Sequence, residues 1–389
     1  MITNIQEPQT LAEAFARDDG PQWREAWVSE VDSLARNNTW RLEVLPPSRQ
    51  AIGCRWLFKR KEDGHYKARL EAKGYSQRAG VNYTETSAPV AKFNSLRSLL
   101  VLVSEKDWER EGMDVKTAFL NSKVEETVYM DIPEGLNLKE PTTHADQQIV
   151  CQLLKSIYGL KQSPRGLYRN IKRFFVDHGF ERSEQDHNVY IHTILKRFLL
   201  LYVEDLVIMA LSLEDVNWMR SLRHEEFEMT DFGPLTVFLG IEIRRNHQPR
   251  SRHISQQEYI QTVLTRFGMS NTAIISTPAD PLVHLTTLPA DHTIDSINQE
   301  RYESAVGSLM YAMIGMWPDI SSAVSAVSQY STNPGPWDWT AVRRIFRYLS
   351  GPRTLGVHYG GGYCGGYTDA DWGSGEDREI YRRICVYGE

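Results

Sequence analysis

Residues 198–209 read FLLLYVEDLVIM, an acidic pair, Glu204-Asp205, set among ten apolar side chains. Either carboxylate left unpaired in a dry core would cost several kcal/mol. The pattern is that of two buried strands turning back on each other with the acids at the turn. A hard divalent cation is the most economical partner, because it takes carboxylate oxygens and offsets their repulsion. A further isolated acid, Asp114 in GMDVKTAFL (112–120), also sits among apolar neighbours at a strand end. Three carboxylates on adjacent strands would form a site for two Mg2+ ions about 4 Å apart, which stabilises attacking and leaving oxygens in phosphoryl transfer. Read alone, an Asp before a helical turn is more often a cap than a ligand.

The 389 residues are 41% hydrophobic and 24% charged, ordinary globular values, and leave room for two or more domains. The net charge of −6 argues weakly against a nucleic-acid binder, and its distribution argues the other way. From Arg49 to Arg97 eleven Lys or Arg stand against four acids, a footprint suited to phosphates. Lys155 to Arg182 adds seven basic residues against Asp177 and Glu181. Either stretch alone would read as a solvated face. Four cysteines (54, 151, 364, 385) lack metal-like spacing and suit a reducing compartment. There is no signal-peptide pattern at the start, and no apolar run approaches the roughly 18 residues that span a bilayer. These features predict a soluble intracellular protein, cytoplasmic or nuclear, with no membrane partner.

Trp23, Trp27, Val31 and Leu34 follow helical spacing, with Pro21 near the start and Asn37-Asn38 at the end. Residues 52–77 alternate basic and apolar around Glu62-Asp63-Gly64 and predict a hairpin. A helix capped by Asn94 or Ser95 is expected to 106, then a short strand over 112–115. Ser163-Pro164 reads as cap and first turn of a basic helix ended by Gly179. A helix near 214–228, FLGIEIRR (238–245) as one strand, a turn-rich linker at 277–300 and helices over 301–350 complete the pattern.

Twelve ordered segments carry a family resemblance. They are NNTWRLEVLP (37–46), CRWLFKRK (54–61), YKARLEAKGYSQ (66–77), APVAKFNSLR (88–97), MDVKTAFLN (113–121) and VYMDIPEG (128–135). There follow LLKSIYGLKQSPR (153–165), LYVEDLVIM (201–209), FLGIEI (238–243), VGSLMYA (306–312), PDI (318–320) and GYTDADW (366–372). Together they resemble the reverse transcriptase of Ty1/copia-type LTR retrotransposons over roughly residues 20–375.

The resemblance implies an α+β, right-hand polymerase of fingers, palm and thumb, with a connection region and an incomplete RNase H-like C-terminus. The implied division is a helical lead-in (1–36), fingers and palm with a thumb-like part (37–276), a linker (277–300), a helical connection region (301–360) and an RNase H-like remnant (361–389). It implies RNA-directed DNA synthesis from an RNA template, a DNA or tRNA-like primer and dNTPs. Asp114, Glu204 and Asp205 take the catalytic, metal-holding positions. Phe119 takes the bulky position that excludes a ribose 2′-OH; taken alone it reads simply as core, and the motif favours the gate. Lys67, Arg69 and Lys73 are triphosphate candidates, and spacing does not choose among them. Tyr158 and Gly159 match a nucleotide or template contact. Gly240 and Glu242 lie on the strand that holds the primer terminus, and Asp369 stands for the first RNase H ligand.

The family pattern has Asp where this chain has Glu204. One extra methylene moves the carboxylate by more than about 1 Å, and a misplacement of about 1 Å can lower the rate ~10²-fold. Activity is therefore expected to be weak with Mg2+ or shifted toward the more tolerant Mn2+. Glu71 replaces an apolar residue, Gly166-Leu167 a small residue and a Trp, and Trp317 an Arg. With only Asp369 of its ligand set, RNase H activity is expected to be absent. The alternative is a catalytically inactive relic that at most binds nucleic acid. A third expectation, self-association, follows if the chain exposes apolar surface near its C-terminus.

Overall fold

The computed structural model describes residues 7–61, 64–136, 148–222, 227–246, 251–280, 285, 296–351, 356–359, 364–370 and 382–388. The chain forms two compact units. One comprises Met1–Ala91, Met113–Ile208 and Asn217–Asp231, and the other Lys92–Gly112, Met209–Val216 and Phe232–Glu389.

In the first unit the core is written in two periodicities. The helix Gly20–Arg36, with Pro21 in its first turn, buries Trp23 and Leu34 on one face. Against it lies the basic hairpin of Cys54–Arg60 and Tyr66–Ala72, in which Arg55 stands opposite Glu71. Alternation sends Ala68, Leu70 and Ala72 into the core and leaves Lys67, Arg69 and Glu71 half-buried on the other face. Trp23 meets the rings of Phe58 and Tyr66 edge-on at 5.6 and 4.5 Å, a favoured aromatic geometry. Val128, Met130, Cys151 and Leu153 close the same core. Their strands form a three-stranded sheet in which Ile149–Leu153 lies between Trp40–Val44 and Tyr129–Met130.

A six-stranded sheet carries the acidic hairpin. Its order is Met229–Pro234, Glu109–Val115, Asp205–Ala210, Arg197–Tyr202, Val189–His192 and Glu181–Arg182. Leu199, Leu200, Leu201, Leu206, Val207, Ile208 and Met209 are buried, so the apolar run becomes two core strands. In the other unit, Val237–Phe238, Ile241–Asn246, Ser251–Ser255 and Gly356–Tyr359 form an antiparallel sheet in that order. Helices Phe93–Lys106, Gln257–Arg266, Ser296–Gly315, Ser321–Ser328 and Pro336–Leu349 accompany it. Cys364–Ala370 pairs antiparallel with Arg382–Gly388. Among the described residues no helix is long and apolar enough to cross a membrane.

Several expectations change in detail. The 93–106 helix is capped at Lys92 without a side-chain hydrogen bond, so Asn94 and Ser95 lie inside its first turn. Ser163 is the first helical residue rather than the cap, because its hydroxyl donates instead to the Ile157 carbonyl at 2.7 Å. FLGIEIRR is not one strand but a tight hairpin, bent at Leu239 and Gly240, both with positive φ. The helix expected near 214–228 spans Leu213–Leu222, and residues 223–226 lie outside the described residues. So do Glu62 and Asp63 of the hairpin turn, most of the 277–300 linker, and Asp371 and Trp372. The final helical region begins at Ser296, inside that linker.

One contact fixes the Tyr158 segment to the basic hairpin. The Ala72 N–H donates to the Tyr158 carbonyl at 2.8 Å, and Gly159 turns away at φ +87°. A Cβ on Gly159 would fall 2.1 Å from the Ala72 oxygen, so both the φ and the approach require glycine. Gly159→Ala is expected to destabilise the protein by about 2 kcal/mol or more, measured by urea unfolding. A change within about 0.5 kcal/mol would contradict this packing.

Candidate catalytic site

The acidic hairpin turns through Val203 and Glu204 between Arg197–Tyr202 and Asp205–Ala210. Val203 has φ +57°, a left-handed conformation that a β-branched residue adopts at about 1–3 kcal/mol. The turn is held from outside by the adjacent strand, whose Val115 N–H donates to the Glu204 carbonyl at 3.1 Å. That strand, Glu109–Val115, brings Asp114 beside the pair. The chain then passes Thr117, also left-handed at φ +48°, into the short turn Ala118–Asn121 that carries buried Phe119. Lys116 anchors the corner, its Nζ 2.5 Å from Glu228 Oε1.

The three carboxylates are half-buried and feel one another. Burial, then Glu204 and Asp205, push the Asp114 carboxyl up to about 6, against the pull of Lys67 and Arg69. Burial and then Glu204 push Asp205 up to about 6. Burial lowers the Lys67 ammonium, and the positive charges of Arg69 and Lys61 add to this, while Asp114 and Glu204 oppose it. Two cations of one strand face therefore lie within range of all or part of the acidic cluster. Lys73 is placed elsewhere. Its aliphatic chain lies beside Gly53, where a Cβ would come 3.1 Å from Lys73 Cδ, and its charge acts on the Cys54 thiol.

Glu204 is engaged on both oxygens. The Tyr158 hydroxyl donates to Oε2 at 2.7 Å, and Arg69 Nη2 stands 3.9 Å from Oε1. The Arg69 guanidinium also lies over the Tyr158 ring, 4.5 Å from its centroid, while its buried Nε has no hydrogen-bond partner. Phe119 packs edge-on against the same ring at 4.7 Å. Burial, followed by the Glu204 charge, raises the Tyr158 phenol well above its ordinary range, so it remains a donor.

Among the described residues no group of three or more His, Cys, Asp or Glu side chains is arranged to hold a metal ion. Asp114 and Asp205 nevertheless have the donor chemistry of a hard divalent cation, oxygen anions whose charge is poorly compensated. Glu204 has one oxygen taken by the Tyr158 hydroxyl, with Arg69 only loosely paired to the other.

Gly240, Glu242 and Asp369 belong to the other unit. Gly240 forms the turn of its hairpin at φ +66°. Glu242 is buried, and its Oε1 accepts the Glu258 N–H at 2.9 Å in the first turn of the Gln257–Arg266 helix. Asp369 lies in Cys364–Ala370 opposite Arg383. On the basic helix Ser163–Asp177, Arg165 and Arg169 pair with Glu85 and Glu125 at 2.5 and 2.6 Å. They line a groove of about 790 Å3 with Lys155 and Arg173. Sequence reasoning missed the Tyr158–Glu204 bond and the stacking of Arg69 on Tyr158. The partners are 46 residues apart on different elements, and no spacing links them.

The carboxylate shifts carry a stability consequence. Folding raises the Asp114 and Asp205 values from 3.8 to about 6, so the folded chain holds more protons than the unfolded chain in that interval. Their contribution lowers stability as pH rises through this window and is fully unfavourable above it. In metal-free buffer, Asp205→Asn is expected to raise the melting temperature at pH 7.5 and to change it little at pH 4. An unchanged or lower melting temperature at pH 7.5 would contradict the electrostatic picture.

Comparison with known proteins identifies the family. The profile of the reverse transcriptase (RNA-dependent DNA polymerase) family matches residues 37–281. The chain is 37% identical over 388 residues to the retrovirus-related Pol polyprotein from transposon TNT 1-94 of Nicotiana tabacum, covering 95% of this chain and 28% of that protein. It is 35% identical over 385 residues to the corresponding polyprotein from transposon RE2 of Arabidopsis thaliana, covering 95% and 25%. A transposon Ty5-1 protein of Saccharomyces cerevisiae is 30% identical over 255 residues, covering 64% of this chain and 79% of that protein. The chain thus spans about a quarter of the length of the plant Pol polyproteins it matches. On this evidence the chain belongs to the reverse transcriptase family, with relatives among Pol polyproteins of Ty1/copia-type transposons.

Proposed function

We propose that the chain is the RNA-directed DNA polymerase part of a Ty1/copia-type Pol polyprotein. Its substrates would be an RNA template, a DNA or tRNA-like primer and dNTPs. The observation that carries this reading is the gathering of Asp114, Glu204 and Asp205 within electrostatic range of Lys67 and Arg69, at a strained turn in a chain of this family. In the proposed architecture the basic hairpin belongs to the fingers and the six-stranded sheet to the palm, both within residues 37–276. The thumb-like part completes that region, and a connection region (301–360) and an RNase H-like element (361–389, with Asp369) follow.

In the reaction, the primer 3′-OH attacks the α-phosphate of a dNTP and pyrophosphate leaves. Asp114 and Asp205 would hold Mg2+, with Glu204 joining them only after leaving Tyr158. When bound there, the cation supplies charge stabilisation to the attacking and leaving oxygens. Arg69 and Lys67 offset the triphosphate's charge with fixed donors. The Phe119 ring, backed by Tyr158, closes the space a 2′-hydroxyl would need, and Gly159 keeps the neighbouring backbone low. Gly240 and Glu242 form and brace the hairpin that would meet the primer end.

The inactive-relic reading has one observation in its favour, the commitment of Glu204 to Tyr158. Primer extension on an RNA template separates the two. The expected result is weak extension by the native chain, stronger with Mn2+ than with Mg2+, a gain for Glu204→Asp of up to ~10²-fold, and none for Asp114→Asn. No extension by the native chain or by Glu204→Asp, with either cation, would overturn the polymerase reading.

A further inference from the structure

We propose that Glu204 acts as an internal stand-in for the nucleotide's phosphate, latched by Tyr158 so that it competes with an incoming triphosphate for Arg69. The proposal rests on the reading of Arg69 as a triphosphate contact.

Four observations converge on it. The carboxylate oxygens have distinct partners, Oε2 taking the Tyr158 hydroxyl at 2.7 Å and Oε1 facing Arg69 at 3.9 Å. The Arg69 pair is therefore loose while the Tyr158 bond is short, so the tyrosine, not the arginine, sets where the carboxylate rests. Tyr158 is itself immobilised. Its carbonyl accepts the Ala72 N–H at 2.8 Å, the adjoining Gly159 fits against the Ala72 oxygen, and Phe119 and Arg69 cover its ring. Arg69 Nε is buried with no hydrogen-bond partner, and Nη2 stands beyond hydrogen-bond reach of Oε1, so Glu204 does not satisfy the guanidinium. The Arg69 and Glu204 side chains remain 31% and 25% exposed, so a ligand from solvent can reach the pair.

A guanidinium lying over an aromatic ring with Nη2 3.9 Å from an oxygen anion is placed to take a phosphate or carboxylate oxygen in its stead. Glu204 fills that role only partly. It is close enough to repel a second anion and too far from Arg69 to satisfy it. A nucleotide must break the Tyr158 hydrogen bond and displace the carboxylate before its own oxygens reach Arg69. Freed from Tyr158, the carboxylate is available to the Asp114–Asp205 side of the turn, so nucleotide entry and cation binding favour the same side-chain movement.

The length of the side chain makes this testable without altering charge. Aspartate at the same position would leave the Tyr158 hydroxyl about 4 Å away, beyond hydrogen-bond reach. The measurement is calorimetric titration of dTTP into the full chain, in EDTA and then with Mg2+, for the native protein, Glu204→Asp, Tyr158→Phe and Arg69→Met. Melting curves establish that each variant is folded. Glu204→Asp and Tyr158→Phe are expected to bind dTTP roughly threefold to tenfold tighter than the native protein in EDTA. Arg69→Met is expected to weaken binding by a similar factor. If Arg69→Met weakens binding and neither latch variant strengthens it, the latch is overturned and the polymerase reading stands. If dTTP binding is indifferent to Arg69→Met, the triphosphate contact itself fails and the latch fails with it.

Discussion

The crowding of Asp114, Glu204 and Asp205 around one hairpin turn is the constraint on which the rest of this site depends. Half-buried carboxylates on neighbouring strand ends repel, and two of them are driven up to about 6 by burial and by that repulsion. Such an arrangement lowers the stability of the bare protein, so the surrounding architecture must hold it together. The apolar flanks do this by burial, with Leu199–Leu201 and Leu206–Met209 in the core. The Val115–Glu204 backbone bond ties the two strand ends, and Val203 takes up the backbone strain. Lys67 and Arg69 supply the opposing charge from the alternate face of a strand whose other face is core.

Much of this was legible in the chain. An acidic pair within an apolar run reads most economically as a turn between buried strands, and alternation in YKARLEA sorts its cations from its core residues. The Trp23–Leu34 helix and the basic hairpin follow from their periods. What spacing could not supply was selection among like residues. Lys67, Arg69 and Lys73 follow one another at separations of two and four positions, but only Lys67 and Arg69 lie on the strand, and Lys73 turns off beside Gly53. Glu71, unexpected in a strand, is accommodated because Arg55 stands opposite and pairs with it at 2.6 Å. Gly166 sits where a Cβ would come 2.4 Å from Ser122 Oγ.

Side-chain partnerships across distant segments were the least legible. Nothing in the sequence indicates that Tyr158 would take Glu204, because the bond depends on the tertiary placement of a loop fixed by Ala72 and Gly159. Glu242 illustrates the same limit from the other side. Besides the primer contact that the resemblance implies, it is an acceptor for the first turn of the Gln257–Arg266 helix, which no spacing announced. The extra methylene of Glu204 also changes meaning once partners are known. It lets the carboxylate reach the tyrosine while its charge still acts on both aspartates.

The claim that Asp114 and Asp205 form the cation-holding core of a polymerase site is tested most directly by Mn2+ titration followed by electron paramagnetic resonance. The free-ion signal should be lost on binding to the native chain, and retained with Asp114→Asn or Asp205→Asn at the same protein concentration. Superimposable titrations for the three proteins would contradict the account, because the carboxylates would then be crowded together for no cation at all.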